Sequence, residues 1–396
     1  MSFVNKPLTD IMDCVRASTA TYVDPTGKIR TAGVNEPRID FSSGQGRLLV
    51  EEVRTNFLLR SEELDSAVHS PVRMIFSTNQ IIAPDGLQTA DKCIPSTELG
   101  LHSMRMRHNY VSGERYTLSF FVKSDGVINN LAINVRAEVF GEVGGINFNI
   151  NTGDVNSVSF ASGNNYNFSS LKLANGWLRV SLSVTALLSD TDSLRGFWLR
   201  FTDSSSSFFP PDFEGDGTSG VYIWGLQLEQ ASTPSSYIPT QASAVTRAAD
   251  NVSRVLGDEF NGSEGSVYFD ININSISMSS TEFIHESDTG YRFLYRLNSS
   301  PLVFRTFDGS NVQTLNGSAT VGRHKVVVSY KAGMAIASVD GTITPSFTFN
   351  PTNFGSVFGV NTRITSGLSS KATDFNKVRY YPKALSQSEC EELTRI

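Results

Sequence analysis

The sequence predicts an all-β protein: two antiparallel β-domains preceded by an extended N-terminal arm. Three observations predict it. Apolar and polar residues alternate with period two in segment after segment, the pattern of a half-buried strand. Turn-forming residues break these runs roughly every 8–12 residues, and no run has a convincing helical period. Only 18% of the 396 residues are charged, against 31 Gly and 26 Phe. Strands and polar turns favour that mix, whereas long surface helices would demand more Glu, Lys and Ala. A chain of this length exceeds one ordinary core. The patterns divide it into an arm over 1–55, a first β-domain over 56–245 and a second over 255–396.

Within the arm, Ala20-Thr21-Tyr22-Val23, Asp24-Pro25-Thr26-Gly27 and Lys28-Ile29-Arg30 read as strand, turn, strand. Pro25 suits the second turn position and Gly27 supplies a permissive backbone. Glu36 to Phe41 continues extended. The arm has too few large apolar residues to bury a core of its own. It is therefore expected to lie against the following domain, another subunit or a larger assembly.

The first β-domain carries Tyr116–Lys123, then Ser124-Asp125-Gly126 as a turn. Leu131–Val135 and Ile146–Ile150 follow, the latter strictly alternating, and Asn151-Thr152-Gly153-Asp154 turns the chain again. Trp177–Val184 and Phe197–Phe201 also alternate. The dense apolar run Val221–Leu228 ends in Glu229-Gln230, and a Pro/Ser-rich stretch leads on to Thr246-Arg247-Ala248-Ala249-Asp250. A buried strand running into such a stretch reads as the end of one β-domain and the bridge to the next. Many short strands with regular turns indicate an antiparallel sandwich.

The second β-domain begins at Gly265–Ile271. Gly322–Tyr330 and Ala335–Val339 are further strands, and Asp340-Gly341 is a hairpin signal. After Lys377–Tyr381 and Pro382, Ser386 and Glu389 form the N-cap and N3 pair of a capping box, predicting a short closing helix.

These residues carry resemblances. The segment holding Arg16, Ala20, Thr21, Tyr22, Gly27, Pro37, Arg38, Leu49, Glu51, Arg54, Thr55 and Asn56 resembles the leading segment of phage tail-fibre, tail-spike and head-fibre proteins. The runs YTLSFFVKSDG, NGWLRVSLSVTA and GVYIWGLQLE, with SSYIPT and TRAAD after them, look like the jelly roll of carbohydrate-binding modules in tailed-phage proteins. GRHKVVVSYKAGMAIASVDG followed by YPKALSQSE resembles a concanavalin-like or laminin-G-like sandwich. Together they imply two antiparallel sandwiches, a jelly roll over 56–245 and a concanavalin-like domain over 255–396. They also imply a virion protein that is usually a homotrimer and meets other virion proteins through its arm.

Charge and cysteine usage set bounds. The net charge is −6, and no Lys/Arg run supplies the basic patch that nucleic acid needs. No 18-residue apolar run would span a membrane, and the N-terminus lacks a basic start followed by an apolar stretch. Cys14, Cys93 and Cys390 are widely spaced, so they are expected to be free thiols in a protein that folds in a reducing cytosol. A β-rich chain of this kind suits an intracellular protein or a virion part released by lysis, and the resemblance to phage proteins implies the latter, a virion assembled in the host cytoplasm.

No catalytic motif stands out. The five histidines are scattered, and in a strand His285 and Glu286 would face opposite ways. There is no G-x-S-x-G elbow and no phosphate-cradling loop. The expectation is a binding protein, not an enzyme. Sugar recognition needs a flat aromatic face and a few fixed polar groups. Trp224, in a continuous apolar run, reads as core. Trp198 alternates with Phe197 and Leu199, so either it or its neighbours face outward. Trp177 follows Asn175-Gly176 at a strand start and is either a ligand platform or a core or edge residue. The loop from Asp203 to Gly217 displays Phe208 and Phe209 among Ser and acids, which marks either a binding surface or a loop folded on its own domain. Asp212, Glu214 and Asp216 alternate and would offer oxygens to a structural Ca²⁺, an ion that related jelly rolls often hold. Ile223, however, stands where a calcium loop places its twelfth-position Glu. No other cofactor is implied.

The expected function is adhesion to host-surface glycans as a tail fibre, tail spike or head fibre. Two alternatives remain at this level: a capsid-decoration or tail protein that binds no glycan, and a tail-spike enzyme that cleaves polysaccharide through a carboxylate pair.

Overall fold

The computed structural model describes residues 12–160, 166–189, 195–202, 204–255, 257–258, 260–273, 281–286, 292–296, 303–308, 310–350, 357–360 and 373–396. Nearly all regular structure is antiparallel strand. Two compact units emerge. A central unit takes Ala20–Thr31 and Arg54–Arg247; a flanking unit, named for its place in the sequence, takes Met1–Thr19, Ala32–Val53 and Ala248–Ile396. Residues 1–55, expected as one arm, are therefore shared between the two. Among the described residues, no helix is long and apolar enough to cross a membrane.

The central unit is a sandwich. Its six-stranded sheet runs Asn167–Lys172, Leu178–Thr185, Arg115–Ser124, Val221–Glu229, Ala90–Pro95, Met74–Ile81. Its five-stranded sheet runs Val155–Ser159, Gly144–Asn149, Asn130–Val135, Phe197–Thr202, Ser103–Arg105. Period-two alternation sends Leu118, Phe120 and Val122 from one sheet, and Ile133, Phe148 and Leu199 from the other, into one dry core. Each such side chain contributes roughly 1.5–3 kcal/mol by leaving water.

A second layer covers the far face of the six-stranded sheet. There Phe121, Trp177, Trp224 and Tyr237 cluster with Ile29 and Ala83. The turn at 24–27 forms, with Gly27 N–H donating to the Asp24 carbonyl at 2.9 Å and φ of 79° at Gly27. The hairpin it closes lends Ile29 to this layer. The Pro/Ser-rich stretch after Glu229 also folds back here. Thr21 Oγ1 donates to the Tyr237 carbonyl at 2.5 Å, and Asn56 Nδ2 donates to the Leu226 and Ile238 carbonyls at 3.0 and 2.9 Å.

The flanking unit is a sandwich of two seven-stranded sheets. One contains Glu264–Ile273 between Gly322–Lys331 and Thr373–Tyr381, with Arg47–Val50 and Arg38–Asp40 extending its edge. The other contains Asn251–Val255, with Asp13–Val15 on its edge. Val267, Phe269 and Ile271 face Val252, Leu294 and Phe304 across the core, and Leu48 and Val50 join them. Asp340 and Gly341 both take positive φ, 49° and 80°, and form the two-residue turn between Val339 and Thr342. The capping box also forms: Ser386 caps the helix Gln387–Thr394 with Glu389 at N3, and Cys390 and Leu385 cover Tyr268 and Val327. Cys14, Cys93 and Cys390 are free thiols.

Candidate functional site

The strands of the five-stranded sheet turn one face into the core and carry polar and charged residues on the other. In Phe197–Thr202, Phe197, Leu199 and Phe201 enter the core, so Trp198, Arg200 and Thr202 point away from it. Register fixes their neighbours. Trp198 stands opposite Asn134 on one side and Arg105 on the other; Arg200 stands opposite Ala132 and Ser103. One strand further, Asn147 lies opposite Ala132 and Gly145 opposite Asn134. The face away from the core thus combines one Trp, several Arg, two Asn and small residues over which a loop can pack closely.

The guanidinium carbon of Arg105 lies 4.5 Å from the Trp198 ring centroid, and that of Arg136, just past Val135, lies 4.6 Å from it. Cations held against an indole gain roughly 0.5–2 kcal/mol each, and the stacking fixes otherwise mobile side chains. Arg136 also pairs with Glu138 at 3.5 Å. Arg200 is 3% exposed, and its Nε and Nη1 are buried without a hydrogen-bond partner among the described residues. Burial pulls its pKa down to about 10, Asp212 opposes that shift and Arg136 adds to it. The group stays charged at neutral pH.

Above this face runs the loop that carries Phe208 and Phe209. Sheet amides tie it down. Asn134 Nδ2 donates to the Phe208 carbonyl at 2.8 Å, and Asn147 Nδ2 donates to the Ser204 and Ser207 carbonyls at 2.9 and 3.0 Å. Gly145 makes this possible: a Cβ there would lie 2.2 Å from Asn134 Nδ2. Further along, Phe213 and Gly100 exchange backbone hydrogen bonds at 3.1 and 3.3 Å, and His102 Nε2 lies 3.0 Å from the Phe213 carbonyl. Phe209 sits with its ring centroid 3.8 Å from the Arg200 guanidinium carbon, yet it remains 39% exposed. Phe208 is half-buried. An exposed ring seated on a fixed cation can take a flat apolar ring on its open face.

The other expected site residues fall elsewhere. Trp177 is 2% exposed, and its Nε1 donates to the Ile82 carbonyl at 3.1 Å. It belongs to the layer over the six-stranded sheet, so the platform role does not hold: Ile29, Ala83 and Tyr237 share the cover that a ligand would need open. Trp224 is buried in the same layer. Asp212, Glu214 and Asp216 are exposed and do not converge. No group of three His, Cys, Asp or Glu side chains is placed to hold a metal ion among the described residues. Asp216 is instead a turn-former. Its carboxylate accepts from Thr218 N–H at 2.8 Å, Ser219 N–H at 2.6 Å and Ser219 Oγ at 2.5 Å, which lowers its pKa. Asp203 lies outside the described residues. His285 and Glu286 sit on the strand Thr281–Glu286.

Sequence reasoning missed Arg105, Arg136, Arg200, Asn134 and Asn147. The alternation in Phe197–Phe201 set Trp198 and Arg200 on the opposite face from Phe197, Leu199 and Phe201, but left open which of the two faces is buried; the structure buries the latter.

No protein-family model matches the chain, and no curated protein matches it. Among solved structures, it is similar to the binding domain of botulinum neurotoxin serotype D, at 13% identity and a TM-score of 0.29. That alignment covers 36% of this chain and 40% of the toxin chain, well under two thirds of the latter. A proposed carbohydrate-binding protein of Bacteroides ovatus aligns at 10% identity over 76% of this chain and 82% of its own, TM-score 0.30. Trypanosoma rangeli sialidase aligns at 11% identity over 95% and 83%, TM-score 0.28. Likenesses this distant carry no argument about activity, so the functional reading rests on the site.

Proposed function

We propose that this chain is a glycan-binding protein of a phage virion surface, a tail fibre, tail spike or head fibre that contacts sugars on the host cell. Phe209 carries the reading: an exposed ring fixed on the Arg200 guanidinium, in a loop pinned by Asn134 and Asn147. A pyranose offers an apolar face to such a ring and hydroxyls to the donors beside it. A pinned loop loses little entropy on binding. The virion setting is supported by the resemblance of the Arg16–Asn56 segment to leading segments of phage fibres and spikes. On that reading the protein assembles in the host cytoplasm, works as a homotrimer and meets other virion proteins through its N-terminal segment. It holds its glycan and does not cleave it.

The test is host-cell and glycan-array binding by the Phe209→Ala variant, with circular dichroism to confirm an intact fold. Loss of about tenfold or more in affinity, roughly 1.4 kcal/mol, is expected for a central aromatic anchor. Unchanged binding by a folded variant overturns the site. Cryo-electron microscopy of the purified virion tests the setting, since absence of this chain from projecting appendages overturns it.

A further inference from the structure

We propose that His102 is a positioning residue for the Phe209 loop, a clamp that closes on the loop's far end when its imidazole carries two protons, so that glycan binding tightens as pH falls. The inference rests on the glycan-binding reading and adds its regulation.

His102 stands one residue before the strand Ser103–Arg105 and is 1% exposed. Its ring bridges two backbone oxygens. Nδ1 lies 2.7 Å from the Arg73 carbonyl, and Nε2 lies 3.0 Å from the Phe213 carbonyl. Both partners are acceptors only, and each already takes an amide: Ser96 N–H donates to the Arg73 carbonyl at 3.0 Å and Gly100 N–H to the Phe213 carbonyl at 3.1 Å. A neutral imidazole has one N–H and one lone pair, so it satisfies one carbonyl and turns a lone pair on the other. The imidazolium has two N–H groups, meets both carbonyls and makes the stronger bonds of a charged donor. Burial works against that charge, so the ring is poised between the two forms.

The backbone carries the effect to the binding ring. Phe213 follows Phe209 by four positions, with Pro210, Pro211 and Asp212 between them. Each proline locks φ near about −65°, so few soft torsions separate the clamp from Phe209. Asn134 and Asn147 already pin the other end of the loop. The Phe213 ring also packs on the imidazole, 4.7 Å between centroids.

The charged groups on the surrounding segments are Arg73 with its partner Glu98 at 3.3 Å, Arg105 and Arg107 on the segment of His102 itself, Arg200 on the strand paired with Ser103, and Asp212 and Glu214 beside Phe213. Among the described residues none of them hydrogen-bonds or ion-pairs with the imidazole, whose bonds run to the two carbonyls. The second bond is present while the ring is doubly protonated. It is lost as pH rises through the histidine range, about 5–8. The other histidines of the central unit are His69 and His108, and burial pulls both down, His108 to about 4.

The test uses the full-length protein, with isotope-labelled histidine, at about pH 5.5 and pH 8. Ring-nitrogen NMR signals count the protons on His102. Hydrogen-exchange protection over 208–215, corrected for intrinsic rates, reads the loop end. An array of neutral and acidic oligosaccharides reads affinity. His102→Gln offers an amide donor of similar reach that does not titrate, and His102→Asn is the second variant; both assign the ring signals, and circular dichroism with a thermal melt confirms their folds. Two ring protons are expected at the lower pH and one at the higher. Loop protection and sugar affinity should each fall roughly two- to tenfold between them, the worth of one hydrogen bond. Both should be independent of pH in a folded variant. A ring that keeps one protonation state across the range, or a folded variant as pH-dependent as the parent, overturns the clamp. Phe209-dependent sugar binding of equal strength at both pH values overturns the regulation and leaves the glycan reading intact. No sugar binding at either pH, with pH-dependent loop protection, overturns the glycan reading and the regulation with it, while the clamp stands.

Discussion

Asp250 holds two buried guanidiniums at once. Its Oδ1 accepts from Arg16 Nη1 at 2.7 Å, its Oδ2 accepts from Arg38 Nη2, and Glu51 N–H donates to Oδ2 at 2.8 Å. Arg38 Nη1 donates to Glu51 at 2.8 Å, and Arg16 Nη2 donates to the Gly33 and Glu36 carbonyls. All four charged residues are buried. Removing one partner from such a set strands the others in low dielectric, at about 3–5 kcal/mol. Asp250→Ala is therefore expected to lower the unfolding free energy of the flanking unit by about that amount, read as a shifted urea midpoint. A shift below about 1 kcal/mol would show that water reaches the guanidiniums when the carboxylate is gone. Very little of this was legible in the sequence. Arg16 and Arg38 stood out only through a resemblance, and Asp250 read as the last polar residue of a bridge. Their partnership spans 234 and 212 positions, and no local period reports a contact that distant. Phe209 was legible, because aromatics among serines and acids are conspicuous. Arg200 was not, because a single Arg in an alternating strand looks like an ordinary solvated residue.

Among elements, the loop that carries Phe208 and Phe209 depends on the sheet beneath it. Asn147 Nδ2 alone donates to two loop carbonyls, and its Oδ1 accepts from Asn156 Nδ2 at 2.9 Å. Asn147 is fully buried, so Asn147→Ala leaves those carbonyls without their donor at roughly 1–3 kcal/mol. The sheet should persist, because the core face of Gly144–Asn149 is untouched. The loop should loosen, and glycan affinity should fall several-fold through a slower or less productive association. Surface plasmon resonance on the variant, with hydrogen exchange over 204–213, checks both parts. Faster exchange with unchanged affinity would mean that the pinned loop conformation does not matter for binding. The strands themselves were readable: the run Leu131–Val135 and the alternation in Ile146–Ile150 and Phe197–Phe201 predicted each one. The face above them was not, since alternation says which residues point outward but not which loop will settle there. The same limit explains Trp177. Its position at a strand start was legible, whereas the layer that buries it comes from Ile29 and Tyr237, far away in sequence.

At the scale of the molecule, the chain passes between the two units four times, through 1–19, 20–31, 32–53, 54–247 and 248–396. The two sandwiches were legible from strand counts and turn spacing. Their sharing of the N-terminal residues was not, because short strands such as Arg38–Asp40 and Arg47–Val50 carry too little pattern to name a partner sheet. The consequence is asymmetric. A fragment spanning residues 20–247 contains the whole central unit, including the hairpin that supplies Ile29 to the Trp177 and Trp224 layer. A fragment spanning 248–396 lacks Arg38–Asp40 and Arg47–Val50, and with them the buried Leu48 and Val50, as well as Arg16, Arg38 and Glu51 around Asp250. Losing two core side chains at roughly 2–5 kcal/mol each, together with the charge cluster, exceeds much of a typical domain's margin of about 5–15 kcal/mol. Fragment 20–247 is thus expected to unfold cooperatively and to keep its glycan affinity. Fragment 248–396 is expected to lack a cooperative transition until a peptide covering residues 12–53 is added, when strand signal in circular dichroism should rise and saturate. A cooperative melt of 248–396 alone would show that the N-terminal strands decorate a finished sandwich; failure of 20–247 to fold would show that the central unit needs the rest of the chain.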